Sequence, residues 1–580
     1  MEKEKIDDII KMLNSKFSVH FQESVDNKNV KHLEYRGIVL INDNDNIPLT
    51  ISFGEHFPLA LPEFVVENKE KFRAHVGSDG KICLLDTSSI LIDQDMPEQI
   101  VFDCYQQAIK ILNIAQGSKE YNNEVIREFE SYWTSVVNKK AYSSVDIETV
   151  SYREYPMVCM NGISMISETS DDAKAILINT FGLKQDEDGF EKKCIFIRIR
   201  DESPIIPLSK QFKWNTVRKY IMNNTSASVK RKFQSFLDLK VKNAVRFVLL
   251  IYPTPQGQIL FGFRLQFSSQ RYCKIENLSN CKVENLLIKR IDYQYLLMRG
   301  GGSNTLKEKN VLLLGGGSVG GYIASNLCQS GVTNIDILDN DIFMPDNMHR
   351  HILGFDAMKY SNSQYKSDLL KNMLESQYPY ADIDSLGFED RSVENFIRRH
   401  DRFKKYDIIV SALGEPTINL EINRLLIENK IQIPFVCCFN EPYGIGGHII
   451  VTNLEQTSCL RCLYTDIISG DLVPFRGSFV MPEQNFKKNI SGCRSAFVPY
   501  SCLDSQQTAI YATRKIVEIL AMKLSKNGVY SWLGDCASLQ ANSFQASQRY
   551  IRNREYAYIQ EEAFANKNCK VCKVREKECI

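Results

Sequence analysis

The chain has 580 residues, a length for roughly three or four domains. Its hydrophobic share of 44% supplies several ordinary cores, and its net charge of +1 excludes a global field drawing it to nucleic acid or to membranes. Seventeen scattered cysteines fit free thiols in a reducing cytoplasm, and neither a secretory signal nor an apolar run of ~18 residues, as a bilayer-spanning helix needs, is found.

In the first block, 1–140, Ile6, Ile9, Ile10 and Leu13 share one face of a short helix. Strand patterns follow in LEYRGIVLI (33–41), IPLTISFG (47–54) and EFVVE (63–67), then a loop, RAHVGSDGKICLLD. Helical stretches close the block at 97–113, where Pro97 suits a first turn, and at 119–137. The polar stretch NKKAYSSVDIE, about 138–148, reads as a linker. A middle block, 149–290, has strand signals at 194–200, 244–252 and 259–267 and a helical stretch around 214–238. It carries no chemical motif and is expected to be an α+β linker or docking domain. The third block, 291–580, alternates helices with NVLLLGG, NIDILDND, YDIIVSALG and FVCCF. These read as buried parallel strands of a doubly wound, Rossmann-like α/β sheet. The chain as a whole is expected to be multidomain, α+β followed by α/β.

Gly315, Gly317 and Gly320 form G-x-G-x-x-G between a strand and a helix, where backbone amides at a helix start can meet phosphate. Asp339, at the end of the next strand, is placed for ribose hydroxyls. Nicotinamide, flavin and ATP sites all use such a loop. The run LDNDIFMPDNMHRHILG discriminates, because it adds Asp341, Asn347, Arg350 and His351, with Lys366 soon after. A triphosphate needs cations to organise it and to stabilise departing pyrophosphate. Two Cys-x-x-Cys pairs, Cys459 with Cys462 and Cys569 with Cys572, have the ligand set of a closed, structural zinc site. Cys493 lies in a glycine- and polar-rich crossing loop beside Arg494, a cation that favours the thiolate.

These residues carry a resemblance. Most of 299–580 resembles the adenylating domain of ubiquitin-activating enzymes and of their bacterial relatives that activate sulfur carriers. The likeness rests on Gly315 to Gly321, the D-x-D…N-x-x-R run from Asp339 to Arg350, and Lys366. It implies ATP and magnesium, a further phosphate-binding arginine at Arg299, and a thioester-forming cysteine at Cys493, with Cys502 as runner-up. It also implies pairing into a homodimer through this domain. One departure is that Leu413-Gly414-Glu415 replaces the aspartate associated with magnesium, which leaves Glu415 as the substitute. Residues 1–140 resemble ubiquitin-conjugating enzymes: Cys83 follows Gly80-Lys81-Ile82 as the conjugating cysteine follows G-x-I-C. His75 stands where the family's His-Pro-Asn begins, but the triplet is His75-Val76-Gly77, so the oxyanion asparagine is absent.

The order of the blocks is similar to the activating–conjugating fusions of bacterial anti-phage CBASS operons. That resemblance implies a cytoplasmic enzyme that adenylates the C-terminus of a cGAS-like nucleotidyltransferase. The acyl group would pass through Cys493 and Cys83 to an acceptor amine, with no direct role for nucleic acid or membrane. A sulfur-carrier activator, a non-catalytic scaffold and a nicotinamide oxidoreductase are the competing readings.

Overall fold

The computed structural model describes the chain except residues 25–32, 42–44, 68–74, 78, 85–91, 115–117, 138, 185–188, 202, 207–210, 255–256, 279–280, 360–364, 387–392, 456, 489–496 and 573–580. The chain divides into two compact units: residues 1–174 with 187–290, and residues 175–186 with 291–580. Among the described residues no helix is long and apolar enough to cross a membrane.

The first unit opens with α1 (Lys3–Phe17), which buries Ile6, Ile9, Ile10 and Leu13, the stripe expected of an amphipathic helix. Strands β1 (Gln22–Glu23), β2 (Leu33–Ile41), β3 (Asp45–Phe53) and β4 (Glu63–Val66) follow in an antiparallel meander. Along β2, Tyr35, Val39 and Ile41 point into the core while Arg36, Ile38 and Leu40 point out. Helix α2 (Pro97–Leu112) closes this core, burying Val101, Ala108 and Leu112.

The stretch expected as one helix over 119–137 is two, α3 (Lys119–Arg127) and α4 (Phe129–Ser135). Ile126, Phe129 and Trp133 pack together in a second core, where the Trp133 indole donates to the Leu286 carbonyl at 3.0 Å. The segment expected as a polar linker holds β5 (Lys139–Ser143), which pairs in parallel with the strand Cys281–Arg290. Its core-facing residues, Ala141 and Ser143, are small and alternate with polar neighbours, which gave the segment a linker's composition.

β5 belongs to a barrel with β6 (Tyr152–Met160), β7 (Ile163–Ile166), β8 (Phe190–Arg198), β10 (Ala244–Thr254), β11 (Gly257–Phe267) and β13 (Cys281–Arg290). The barrel closes in the order β10-β11-β13-β5-β7-β6-β8, which leaves no free edge. Between these strands lie α5 (Ser170–Asn179), α6 (Trp214–Asn224), α7 (Ala227–Leu237) and a small ribbon of β9 (Lys240–Val241) with β12 (Cys273–Lys274). The helical stretch expected around 214–238 is the pair α6 and α7, and the Ser226 hydroxyl caps α7 by accepting the Val229 N–H.

The second unit contains the doubly wound sheet. Its elements are α8 (Tyr293–Gly300), β14 (Asn310–Leu314), α9 (Gly320–Ser330), β15 (Asn334–Leu338), α10 (Lys366–Gln377), β16 (Asp382–Ser385), α11 (Val393–Ile397), β17 (Ile408–Ser411), α12 (Pro416–Glu428), β18 (Phe435–Asn440), β19 (Gly446–Thr452), α13 (Cys502–Leu520), β20 (Gly528–Leu533) and β21 (Tyr558–Glu561). Strand order is β16-β15-β14-β17-β18-β19-β20-β21. The first five run parallel, and β19 to β21 extend the sheet antiparallel. The chain leaves β14 toward β15 on one side and later returns to β17 on the other. The carboxyl ends of β14 and β17 therefore flank the switch-point crevice where ligands bind in such sheets.

Candidate active site

The glycine-rich loop lies in that crevice, between β14 and α9. Gly315 packs so closely on the next strand's exit that an added Cβ would stand 3.1 Å from the Ala412 carbonyl. At Gly320 a Cβ would lie 1.8 Å from the Gly315 oxygen, so only glycine lets α9 start there. Asp339 organises the loop: one carboxylate oxygen accepts the Gly316 N–H at 2.7 Å and the other the Asp341 N–H at 2.8 Å. Burial pushes its pKa above the ordinary carboxylate range, against the pull of Lys366 and the two N–H groups. From the run after β15, His351 reaches the loop through a 2.7 Å contact between Nε2 and the Gly316 carbonyl. Burial pushes His351 down to about 4, so the ring is neutral at physiological pH. Leu353 donates to its Nδ1, which leaves the proton on Nε2 to bond Gly316.

The polar and charged residues read from the sequence lie on several elements around the sheet. Lys366, the first residue of α10, is buried, and its ammonium meets the Asp341 carboxylate at 2.8 Å. Its own N–H donates to the Asp341 carbonyl, which ties α10 to the exit of β15. Asn347 accepts the Met344 N–H and shapes the turn whose carbonyl takes the Arg350 N–H at 3.1 Å. Glu415 is exposed at the start of α12, just past β17, so it is the carboxylate that this strand exit offers to a cation. Arg299 is different. It sits in the last turn of α8, which packs at the C-terminal end of α9, where Tyr293 donates to the Gly331 carbonyl. The glycine loop is at the other end of α9, about 16 Å away at 1.5 Å per residue. Within one chain the fold does not bring Arg299 to it.

The four paired cysteines converge. Their sulfurs all lie within 4.8 Å of one another. Cys459 Sγ stands 3.9 Å from Cys462, 3.8 Å from Cys569 and 3.1 Å from Cys572. An ion bonded tetrahedrally at ~2.3 Å to four sulfurs would hold them about 3.8 Å apart, so the donor set and its spacing fit zinc. Asn566 and Asn568 donate to the Thr465 and Ile467 carbonyls, fastening the C-terminal segment to the loop after Cys462.

Cys83 lies on the outward face of a hairpin strapped to β4: Ile82 N–H donates to the Phe64 carbonyl and Val66 N–H to the Gly80 carbonyl. The thiol is exposed while Ile82 and Leu84 on either side are buried. His75 is its cross-strand neighbour, and its ring meets Glu124 of α3 at 3.0 Å. Glu124 was missed from the sequence because nothing in α3 marks one acidic residue among several. Cys493 lies outside the described residues. The chain on either side of it pairs at Lys488 and Phe497 and then runs to Tyr500, whose hydroxyl is 3.2 Å from Ser318 of the glycine loop. Cys502 opens α13, behind a capping box of Ser501 and Asp504.

Residues 291–554 match the ThiF family and residues 17–142 match prokaryotic E2 family B. The chain joins a prokaryotic E2 family B domain to a ThiF family domain. The ThiF match contains the glycine loop and the first cysteine pair, and the E2 match contains His75, Cys83 and Glu124. The chain is 22% identical over 473 residues to the ATP-dependent ubiquitin transferase-like protein Cap2 of Pseudomonas aeruginosa, covering 79% of this chain and 80% of that protein. The Cap2 protein of Escherichia coli is 23% identical over 529 residues, covering 80% of this chain and 83% of its own. A crystal structure of E. coli MccB with MccA-N7isoAsn aligns with 48% of this chain and 71% of its own at 14% identity and a TM-score of 0.32, too low to carry an argument.

Proposed function

We propose that the chain is an ATP-dependent conjugating enzyme that activates the C-terminus of a partner protein and joins it to an amine. One observation carries this reading: a single chain holds a glycine-rich loop at a sheet's switch point and an exposed cysteine on a conjugating-type hairpin. A dehydrogenase or a sulfur-carrier activator has no work for Cys83. The naming of its relatives as ATP-dependent ubiquitin transferase-like proteins supports the same class of enzyme.

The glycine loop, Gly315, Gly317 and Gly320, cradles the phosphates of ATP. Arg350 and Lys366 offset the charge of the departing pyrophosphate, and Asp341 and Glu415 are the carboxylates available to magnesium. The partner's carboxylate attacks the α-phosphate and becomes an acyl-adenylate. Cys493 takes the acyl group with loss of AMP, and Cys83 receives it by thiol exchange. An acceptor amine then forms an amide. Splitting one acylation into thioester steps is the gain of covalent catalysis. The four cysteines hold a structural zinc. By its likeness to CBASS fusions, the partner is a cGAS-like nucleotidyltransferase, the setting is cytoplasmic anti-phage defence, and two chains pair through the ThiF domain.

The test is ATP–pyrophosphate exchange. Labelled pyrophosphate should enter ATP only when a cGAS-like nucleotidyltransferase with its native C-terminus is added. Absence of exchange with that partner present, together with no thioester on either cysteine, would favour a scaffold.

A further inference from the structure

The hairpin that carries Cys83 also holds a histidine paired with a carboxylate of α3, to which the relay assigns no task. Val76 and Ile82 face each other across an antiparallel bridge, and both are buried. The next pair outward is His75 and Cys83, and the Cys83 N–H donates to the His75 carbonyl at 2.7 Å. Opposed residues joined by such a bond have Cα atoms about 5.5 Å apart, which brings both within reach of one substrate group.

His75 is held from three sides. Its backbone takes φ of 60°, a region uncommon for a residue other than glycine. Its N–H donates to the Tyr132 hydroxyl of α4. Its Nε2 meets Glu124 Oε2 at 3.0 Å, and the other Glu124 oxygen accepts from Arg127 at 2.6 Å. Both side chains are about four-fifths buried, at 20% and 19% exposure. A carboxylate at Nε2 selects the tautomer with the proton there, which makes Nδ1 the nitrogen with a lone pair.

We infer that His75, positioned by Glu124, is the general base that deprotonates the acceptor amine attacking the thioester on Cys83; this rests on the conjugating reading above. As the amine nitrogen bonds to the acyl carbon, Nδ1 takes its proton. The carbon–sulfur bond breaks, and the electron pair leaves on Cys83 as thiolate. The imidazolium, stabilised by Glu124, returns the proton to that sulfur. The amide is the product, and no oxidant or further reactant is consumed.

The test loads full-length protein at Cys83 by thiol exchange with a synthetic glycine-terminated peptide thioester, located by peptide mapping. Discharge is then timed with free lysine and with hydroxylamine across neutral pH. Hydroxylamine is uncharged there and needs no base. His75→Gln should slow lysine discharge about 10²–10⁴-fold, erase its rise with pH through the histidine range, and spare hydroxylamine discharge. Glu124→Gln should slow lysine discharge about tenfold and likewise spare hydroxylamine discharge, because only the proton transfer forms an imidazolium that needs a counter-charge. The charged and titratable groups packed on the histidine are Glu124, Arg127 and Tyr132, with Asp79, Lys81 and Glu63 along the hairpin. Equal losses with both nucleophiles would reduce the pair to a structural pin. An unchanged lysine rate and pH profile in His75→Gln would remove it from the chemistry. A wild-type chain that takes no acyl group on Cys83 would instead sink the conjugating reading itself, and this inference with it.

Discussion

At the scale of single residues, the glycine loop is held at Gly316 by Asp339 and His351. His351 donates to Gly316, and its pKa is pushed down to about 4, against about 6.5 in an unfolded chain. The unfolded state therefore binds the extra proton between those values. The stability held by the neutral ring is complete above about pH 6.5 and is lost as pH falls toward 4, in total on the order of 3 kcal/mol. The ThiF domain should lose thermal stability through that window, and His351→Gln should shrink the loss. An equal loss in the variant would place the acid sensitivity elsewhere. Lys366 sits beside the loop; its ion-pair partner Asp341 is 70% exposed, but its charge also offsets the buried Asp339 carboxylate. Lys366→Ala should cut pyrophosphate exchange about 10²–10³-fold with the fold retained and the melting temperature lowered. Normal exchange in this variant would take Lys366 out of the phosphate site. Sequence patterning made Lys366 legible through its place in an ordered run. The same run contained His351, but its bond to Gly316 was not legible, nor was Glu124, because a buried polar side chain is recognised by its partners, and those lie far off in the chain.

At the scale of elements, periodicity served where one face of a helix or strand is apolar. The stripe of α1, the alternation of β2 and the parallel strands β14, β15, β17 and β18 were all readable in this way. It failed at β5, whose buried positions are small, and at α3 and α4, where a regular helical pattern conceals a break at Glu128. The thiolate cluster is an element-scale device of another kind. The pairs were visible, but their meeting across more than a hundred residues was a matter of tertiary structure. If the cluster holds zinc, elemental analysis should find about one ion per chain. Replacing Cys569 and Cys572 with serine should release it and expose the segment after β21 to proteolysis. Retention of the metal by that variant would move the ligands elsewhere.

At the scale of the whole molecule, the meaning lies in the combination of domains. Either domain alone is compatible with several functions, and the pairing of the two narrows them. The barrel between them was the least legible part, since seven strands of both orientations close on themselves with one in a stretch of linker-like composition. The central claim is that acyl groups pass from adenylate to Cys493 to Cys83. The most direct test is intact-protein mass spectrometry after incubation with ATP and a cGAS-like nucleotidyltransferase, with and without reductant. Cys83→Ala should accumulate a thiol-sensitive adduct on Cys493 and yield no amide, and Cys493→Ala should make the adenylate but carry no thioester on either domain. A thioester on Cys83 in the Cys493→Ala protein, or full amide formation by Cys83→Ala, would contradict the relay.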